Sequence, residues 1–398
     1  MAGFFRDWRG QNMEKIQYDM LYLAACGING ICPDRSVLGE VNEKELYLIC
    51  YSHFLDALVG TTLKKAGVSV PQYWNEHISK AIRKVVLFDA ERAKLFSFME
   101  QAGIWHLPLK GIVLKDYYPA VGMRQMSDND ILFDYDHCDE VQAYMEAAGY
   151  EAVQVGAGNH DVYHKEPVYN FELHKALYGE AHQDGWSEYY ENVKERLVLR
   201  EETACEYRFT DEDFYVYITS HAYKHYAGSG TGLRTLLDFY VYLSAKEQTL
   251  DFAYIEKECK VLGIDTFERQ SRELSKKVFA KDALIGEDAL KQRLSEEEME
   301  LLMYYLTSGA YGTVERSVEN RIKQYRKNGV KCAKLRYVWD RLFPGYDVYR
   351  VYAPSVKCRW LQSVAGWFCR AFCVTFQKKR RALTKEFRSK ARRPYFQR

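Results

Sequence analysis

Asp128 and Asp130 stand one residue apart at the head of the apolar run Ile131-Leu132-Phe133, with Ser127 and Asn129 between and before them. If residues 128–133 form a strand, side chains alternate between faces and both carboxylates share one face. Like charges so placed repel each other, which is destabilising in a sheet of ordinary function. A divalent cation removes that cost, and a hard one such as Mg²⁺ takes carboxylate oxygens together with substrate phosphates. A third acid is available in Phe171-Glu172-Leu173-His174, whose alternation puts Glu172 and His174 on one face and Phe171 and Leu173 on the other. Taken alone, Ser127-Asp128-Asn129-Asp130 also suits a polar turn, and Glu172 an exposed strand carboxylate.

The surrounding pattern predicts helix, then clustered strands, then helix. Apolar residues recur every three or four positions over Glu43 to Lys65 and over Ile82 to Gln101, and Gly103 stands where a helix stops. Short apolar runs at Ile104 to Leu109 and Ile131 to Phe133 read as strands, followed by a helix over Asp139 to Ala148. Glu151 to Val155, Asp161 to Lys165 and Tyr169 to His174 read as three more strands. Helices are expected over Phe214 to Tyr226, Leu233 to Ala245, Ile255 to Gly263 and Glu296 to Thr307. The expected class is α+β: a small mixed sheet at 103–184 with helices on one side, a helical region at 1–102, a helical domain at 185–345 closing a cleft, and a tail at 346–398.

Charge and cysteine usage narrow the function classes. The 398 residues carry 56 Lys/Arg against 55 Asp/Glu, so a globally basic nucleic-acid binder is not indicated. The charge is uneven: residues 356–398 carry 13 Lys/Arg and one acid, Glu386, on an otherwise acidic body. In that tail Trp360, Val364, Trp367, Phe368, Ala371 and Phe372 repeat at helical spacing before Lys378-Lys379-Arg380-Arg381. Such a segment packs on the body, lies on an anionic membrane surface or meets RNA, and the sequence leaves those alternatives open. The ten cysteines are scattered without a CxxC pair, which predicts reduced thiols in a cytoplasm, with the tail allowing a peripheral place at the inner face of the membrane. No stretch reaches the ~18 apolar residues of a membrane span. The 32 tyrosines are spread along the chain and cast no vote on function.

A Gly-containing turn, a following helix, an Asp-x-Asp strand and a later strand acid resemble the nucleotidyltransferase superfamily typified by DNA polymerase β. More closely, Lys110-Gly111, Tyr118-Pro119, Arg124, Asp128-x-Asp130 and Glu172-x-His174 resemble the bacterial family of uncharacterised nucleotidyltransferases. His221-x-x-x-His225, Leu233-Arg234 and Leu237-Asp238 resemble the helical part of that family, and the likeness runs over roughly residues 45 to 305. The chain departs from the superfamily in having Asn129 between the aspartates and no Gly-Ser pair.

The resemblance implies that Asp128, Asp130 and Glu172 hold two Mg²⁺, or Mn²⁺, ions and carry catalysis. It implies that Lys110 and Gly111 take the place of the triphosphate-cradling turn, with Arg124 as a second phosphate clamp and Ser127 and His174 beside the nucleotide. His221 and His225 would line the cleft; a zinc-protease pattern is excluded because Ala-Tyr-Lys lies between them. Arg234 and Asp238 read as an i, i+4 ion pair, or as groups orienting a phosphate or base if their helix faces the sheet. His160 and His164 read as partly solvated sheet residues. The implied reaction moves an NMP from an NTP to an acceptor hydroxyl on an unidentified small molecule or protein. The alternatives are an RNA or tRNA acceptor guided by the basic tail, and a binding protein that holds a nucleotide or polyanion without chemistry.

Overall fold

A computed structural model of the chain describes residues 13–34, 42–156, 158–179, 185–283 and 286–343. The basic tail read from the sequence lies outside them. Contacts divide the chain into one unit over residues 1–317 and another over 318–398. In the second unit the end of the helix Val314–Lys327 and the helix Ala333–Leu342 are joined by the Tyr325 hydroxyl, which donates to Asp340 at 2.5 Å. No helix among the described residues is long and apolar enough to cross a membrane.

The first unit is the expected α+β fold, except that helices pack on both faces of its sheet rather than on one. It opens with α1 (Lys15–Asn29), α2 (Glu43–Ser52), α3 (Asp56–Lys65) and the long α4 (Gln72–Ala102). The single helix expected over Glu43 to Lys65 is in fact two, broken where Phe54 takes a φ of +57°. His53 is the reason for the break: its buried ring accepts from the Leu233 N–H at 3.1 Å and donates to the Leu306 carbonyl at 3.2 Å. A continuous helix would hold the ring away from both. The α4 helix starts ten residues before Ile82, with buried Trp74 and Ile78 following the Pro71 cap. Gly103 ends it at a φ of +73°, as expected.

A five-stranded sheet follows, made of β1 (His106–Pro108), β2 (Asn129–Phe133), β3 (Glu151–Gln154), β4 (His160–Lys165) and β5 (Tyr169–His174). Its order is β1-β2-β5-β4-β3, with β2 parallel to β5 and the other pairs antiparallel. Alternation sorts each strand. Ile131, Phe133, Tyr163, Phe171 and Leu173 pack with Val85, Phe88, Leu95 and Met99 of α4 and with Val141 and Met145 of α5 (Cys138–Ala147). The opposite face carries Asp130, Glu172 and His174.

Beyond the sheet, α6 (Asp211–Ala227) and α7 (Leu233–Lys246) are the principal helices. The α6 start is well specified: the Thr210 side chain accepts from the Asp213 N–H, and Asp211, Glu212 and Asp213 sit where the helix dipole favours negative charge. Phe214, Tyr215, Tyr217 and Ile218 of α6 share a core with Leu107, Leu109 and Leu132 from the sheet. That packing brings the α6 surface over the carboxylate-bearing face.

Candidate active site

The turn from β1 positions the first site residue. Lys110 adopts φ +45°, rare for a side chain with a Cβ, and leads into a single helical turn at Gly111–Leu114. Gly111 is required by close approach, since a Cβ there would stand 2.5 Å from an Arg124 guanidinium nitrogen and 3.1 Å from the Met126 sulfur. The Leu109 N–H donates to the Asp130 carbonyl, tying the turn to β2. The Lys110 ammonium then reaches Asp130 Oδ1 at 2.6 Å.

Asp130 pairs across β2–β5 with Glu172, so the two are level on one face. His174 Nε2 donates to Asp130 Oδ1 at 2.9 Å and stands 3.9 Å from Glu172 Oε2. Both other acids act on Asp128. Burial, then the charges of Asp130 and Glu172, push the Asp128 carboxyl up to about 8. Burial and Asp130 push Glu172 up to about 7. Asp130 goes the other way: burial opposes its charge, but Lys110 and His174 hold it well below the usual carboxylate range. Thus Lys110 balances one carboxylate, and the other two stay raised in pKa despite Lys84 near Asp128 and Lys224 near Glu172. A divalent cation fits this donor set, because it supplies the missing positive charge to oxygen ligands.

The remaining expected residues divide into those brought to the site and those engaged elsewhere. His221 and His225 are brought together, Nε2 to Nε2 at 3.3 Å, and both feel Lys110 and Asp130. Burial lowers His225 to about 4 and His221 well below the usual imidazole range, so both rings are neutral. Ser127 borders the site through its carbonyl, which accepts from Lys84 Nζ at 3.0 Å. Arg124 is not free to clamp a phosphate: its Nε and a terminal nitrogen donate to the two Asp238 oxygens at 2.8 and 2.9 Å. The Tyr118 hydroxyl adds a third bond to Asp238 at 2.7 Å. The expected Arg234–Asp238 ion pair is consequently not made; Arg234 donates to the Gln125 carbonyl at 3.2 Å and lies over the Phe54 ring. Planar bidentate geometry favours Arg124 over a neighbour on the same helix.

Three residues at the site were not among those expected there, although His160 was read, correctly, as a partly solvated sheet residue. Lys84, from α4, acts electrostatically on Asp128. Lys224, from α6, acts on Glu172 and Asp130. His160 faces Glu172 at 3.9 Å and lies directly opposite His174 in the β4–β5 register. The lysines carried no signal in the sequence, because ordinary surface lysines look the same. The alternation that paired Glu172 with His174 could have found His160 once the β4–β5 register was known. Asn129, the departure between the aspartates, points to the packed face and accepts from Arg92 at 2.9 Å.

A family model described as uncharacterised nucleotidyltransferase matches residues 39–280. No curated protein and no solved structure matches the chain significantly.

Proposed function

The chain belongs to the uncharacterised nucleotidyltransferase family, and from that premise we propose that it moves an NMP from an NTP to an acceptor hydroxyl, releasing pyrophosphate. The observation that carries the reading is the set Asp128, Asp130 and Glu172, two of them pushed up in pKa by burial and by each other's charge. A pure anion-binding protein would need cations at this place rather than three acids. Asp128, Asp130 and Glu172 would hold Mg²⁺ or Mn²⁺, which when bound neutralises phosphate charge and favours the attacking oxyanion.

The chain's own groups supply positioning and proton traffic. In the transfer, the acceptor oxygen bonds to the α-phosphorus while the bond from that phosphorus to the pyrophosphate oxygen breaks. Glu172, level with Asp130 on the same sheet face, would take the acceptor's hydroxyl proton. Lys110, Lys224 and Arg234 furnish positive charge for the triphosphate, acting as preorganised electrostatic partners. Arg124 contributes indirectly, by fixing Asp238. His221 and His225 are neutral walls of the nucleotide cleft. A small molecule or a protein is the favoured acceptor class.

Calorimetric titration of the four NTPs, with and without Mg²⁺, tests this without knowledge of the acceptor. Metal-dependent binding to wild type, lost in Asp128→Asn and in Glu172→Gln, is the expected result. Equal binding by the folded variants, or no NTP binding by folded wild type, overturns the reading.

A further inference from the structure

We propose that His160, Glu172 and His174 form a second metal site, selective for a borderline divalent transition metal such as Zn²⁺ and sharing Glu172 with the carboxylate cluster. One potential ligand atom from each of the three residues lies within 4.8 Å of the others. Their spacing is set by backbone register, since His160 lies opposite His174 and Glu172 is two residues before His174 on the same strand face. Two imidazoles and one carboxylate are a nitrogen-rich set, which zinc accepts and Mg²⁺ disfavours.

The surroundings of His160 prepare it as a ligand. The Asn159 amide nitrogen donates to the Ala176 and Leu177 carbonyls at 3.1 and 3.4 Å, which turns its Oδ1 toward His160 Nδ1 at 3.3 Å. An amide oxygen only accepts, so Nδ1 carries the proton and Nε2 presents its lone pair. That nitrogen stands 3.9 Å from Glu172 Oε2. Orientation of a ligating ring through its other nitrogen is the usual outer-shell device of metal sites. His174 Nε2 is also 3.9 Å from Glu172 Oε2, and its Nδ1 is buried with no partner. Donors on a tetrahedral zinc are separated by about 3.3 Å, so closure takes side-chain movements on the order of 1 Å. The proton that His174 gives to Asp130 then moves to Nδ1. His160 and Glu172 are partly exposed, which leaves a route for the ion and an open coordination position.

The test uses untagged full-length protein stripped with EDTA, titrated with Zn²⁺ against a chromophoric chelator. One tightly bound equivalent is expected, with two imidazoles in the zinc X-ray absorption spectrum. His160→Ala should weaken binding at least tenfold and remove one imidazole, and Asn159→Ala should weaken it about tenfold with all three ligands retained. Asp128→Asn should bind as wild type does. Unchanged affinity in folded His160→Ala, equal loss in Asp128→Asn, or a spectrum without imidazole overturns the proposal. The inference stands apart from nucleotidyl transfer: imidazole-bound zinc without NTP binding defeats only the transfer reading, and metal-dependent NTP binding without imidazole-bound zinc defeats only this one.

Discussion

The two faces of the five-stranded sheet are built from alternate residues of the same strands, yet they answer to different physics. On one face Phe171, Leu173, Ile131 and Phe133 are sealed against α4 and α5. On the other, Glu172, His174 and Asp130 crowd like charge and imidazole into a small space under α6. Packing completes the first face. The second keeps an electrostatic demand that packing cannot meet, and this is what a ligand-binding surface on a rigid scaffold requires. Within that face the two aspartates differ as well: Asp130 is ionised between Lys110 and His174, and Asp128 holds its proton to about pH 8.

The comparison predicts that the faces fail differently when altered. Phe171→Ala should cost about 3–5 kcal/mol of stability, read by denaturant unfolding, because it opens a cavity in the sealed face. Asp130→Asn should also destabilise, by about 3 kcal/mol, since the Lys110 ammonium loses its buried partner. Asp128→Asn reproduces the neutral form that Asp128 already takes, so the fold should survive while NTP turnover drops at least ~100-fold. A variant at Asp128 that unfolds with retained specific activity would erase the contrast between the aspartates.

A pH series sharpens the same contrast in metal-free protein. The unfolded Asp128 loses its proton near pH 4 and the folded one near 8, so the folded state binds more protons in between. Stability linked to that proton is therefore fully present below about pH 4 and is lost as pH rises to about 8. Glu172 adds the same sign up to about 7. The melting temperature of Asp128→Asn should rise relative to wild type between pH 5 and 8 in EDTA; a flat difference would place Asp128 outside the cluster. The smallest effect belongs to the packed face: Asn129→Ala should cost about 1–2 kcal/mol, because Arg92 loses one acceptor and keeps Asp89.

Much of this arrangement was legible in the chain. The Tyr169–His174 strand has the expected bounds, and Gly103 stops its helix at positive φ. Period-two alternation was enough to place Glu172 with His174. The break at His53 was hidden, because a buried histidine bridging to Leu233 and Leu306 leaves no mark on local periodicity. Arg234 and Asp238 were paired by helical spacing, but the true partner of Asp238 is Arg124, 114 residues away.

By itself the sequence determined which residues share a strand face and where carboxylates crowd, because backbone geometry sets side-chain direction at every second residue. The tertiary structure alone decided the partners: Lys110 on Asp130, Arg124 on Asp238, His160 across from His174, and Lys84 and Lys224 at the rim. Pairing of charges depends on distances of a few ångströms between segments far apart in the chain. Those distances exist only after the cores on the sheet's two faces have formed and brought α4, α6 and α7 to it.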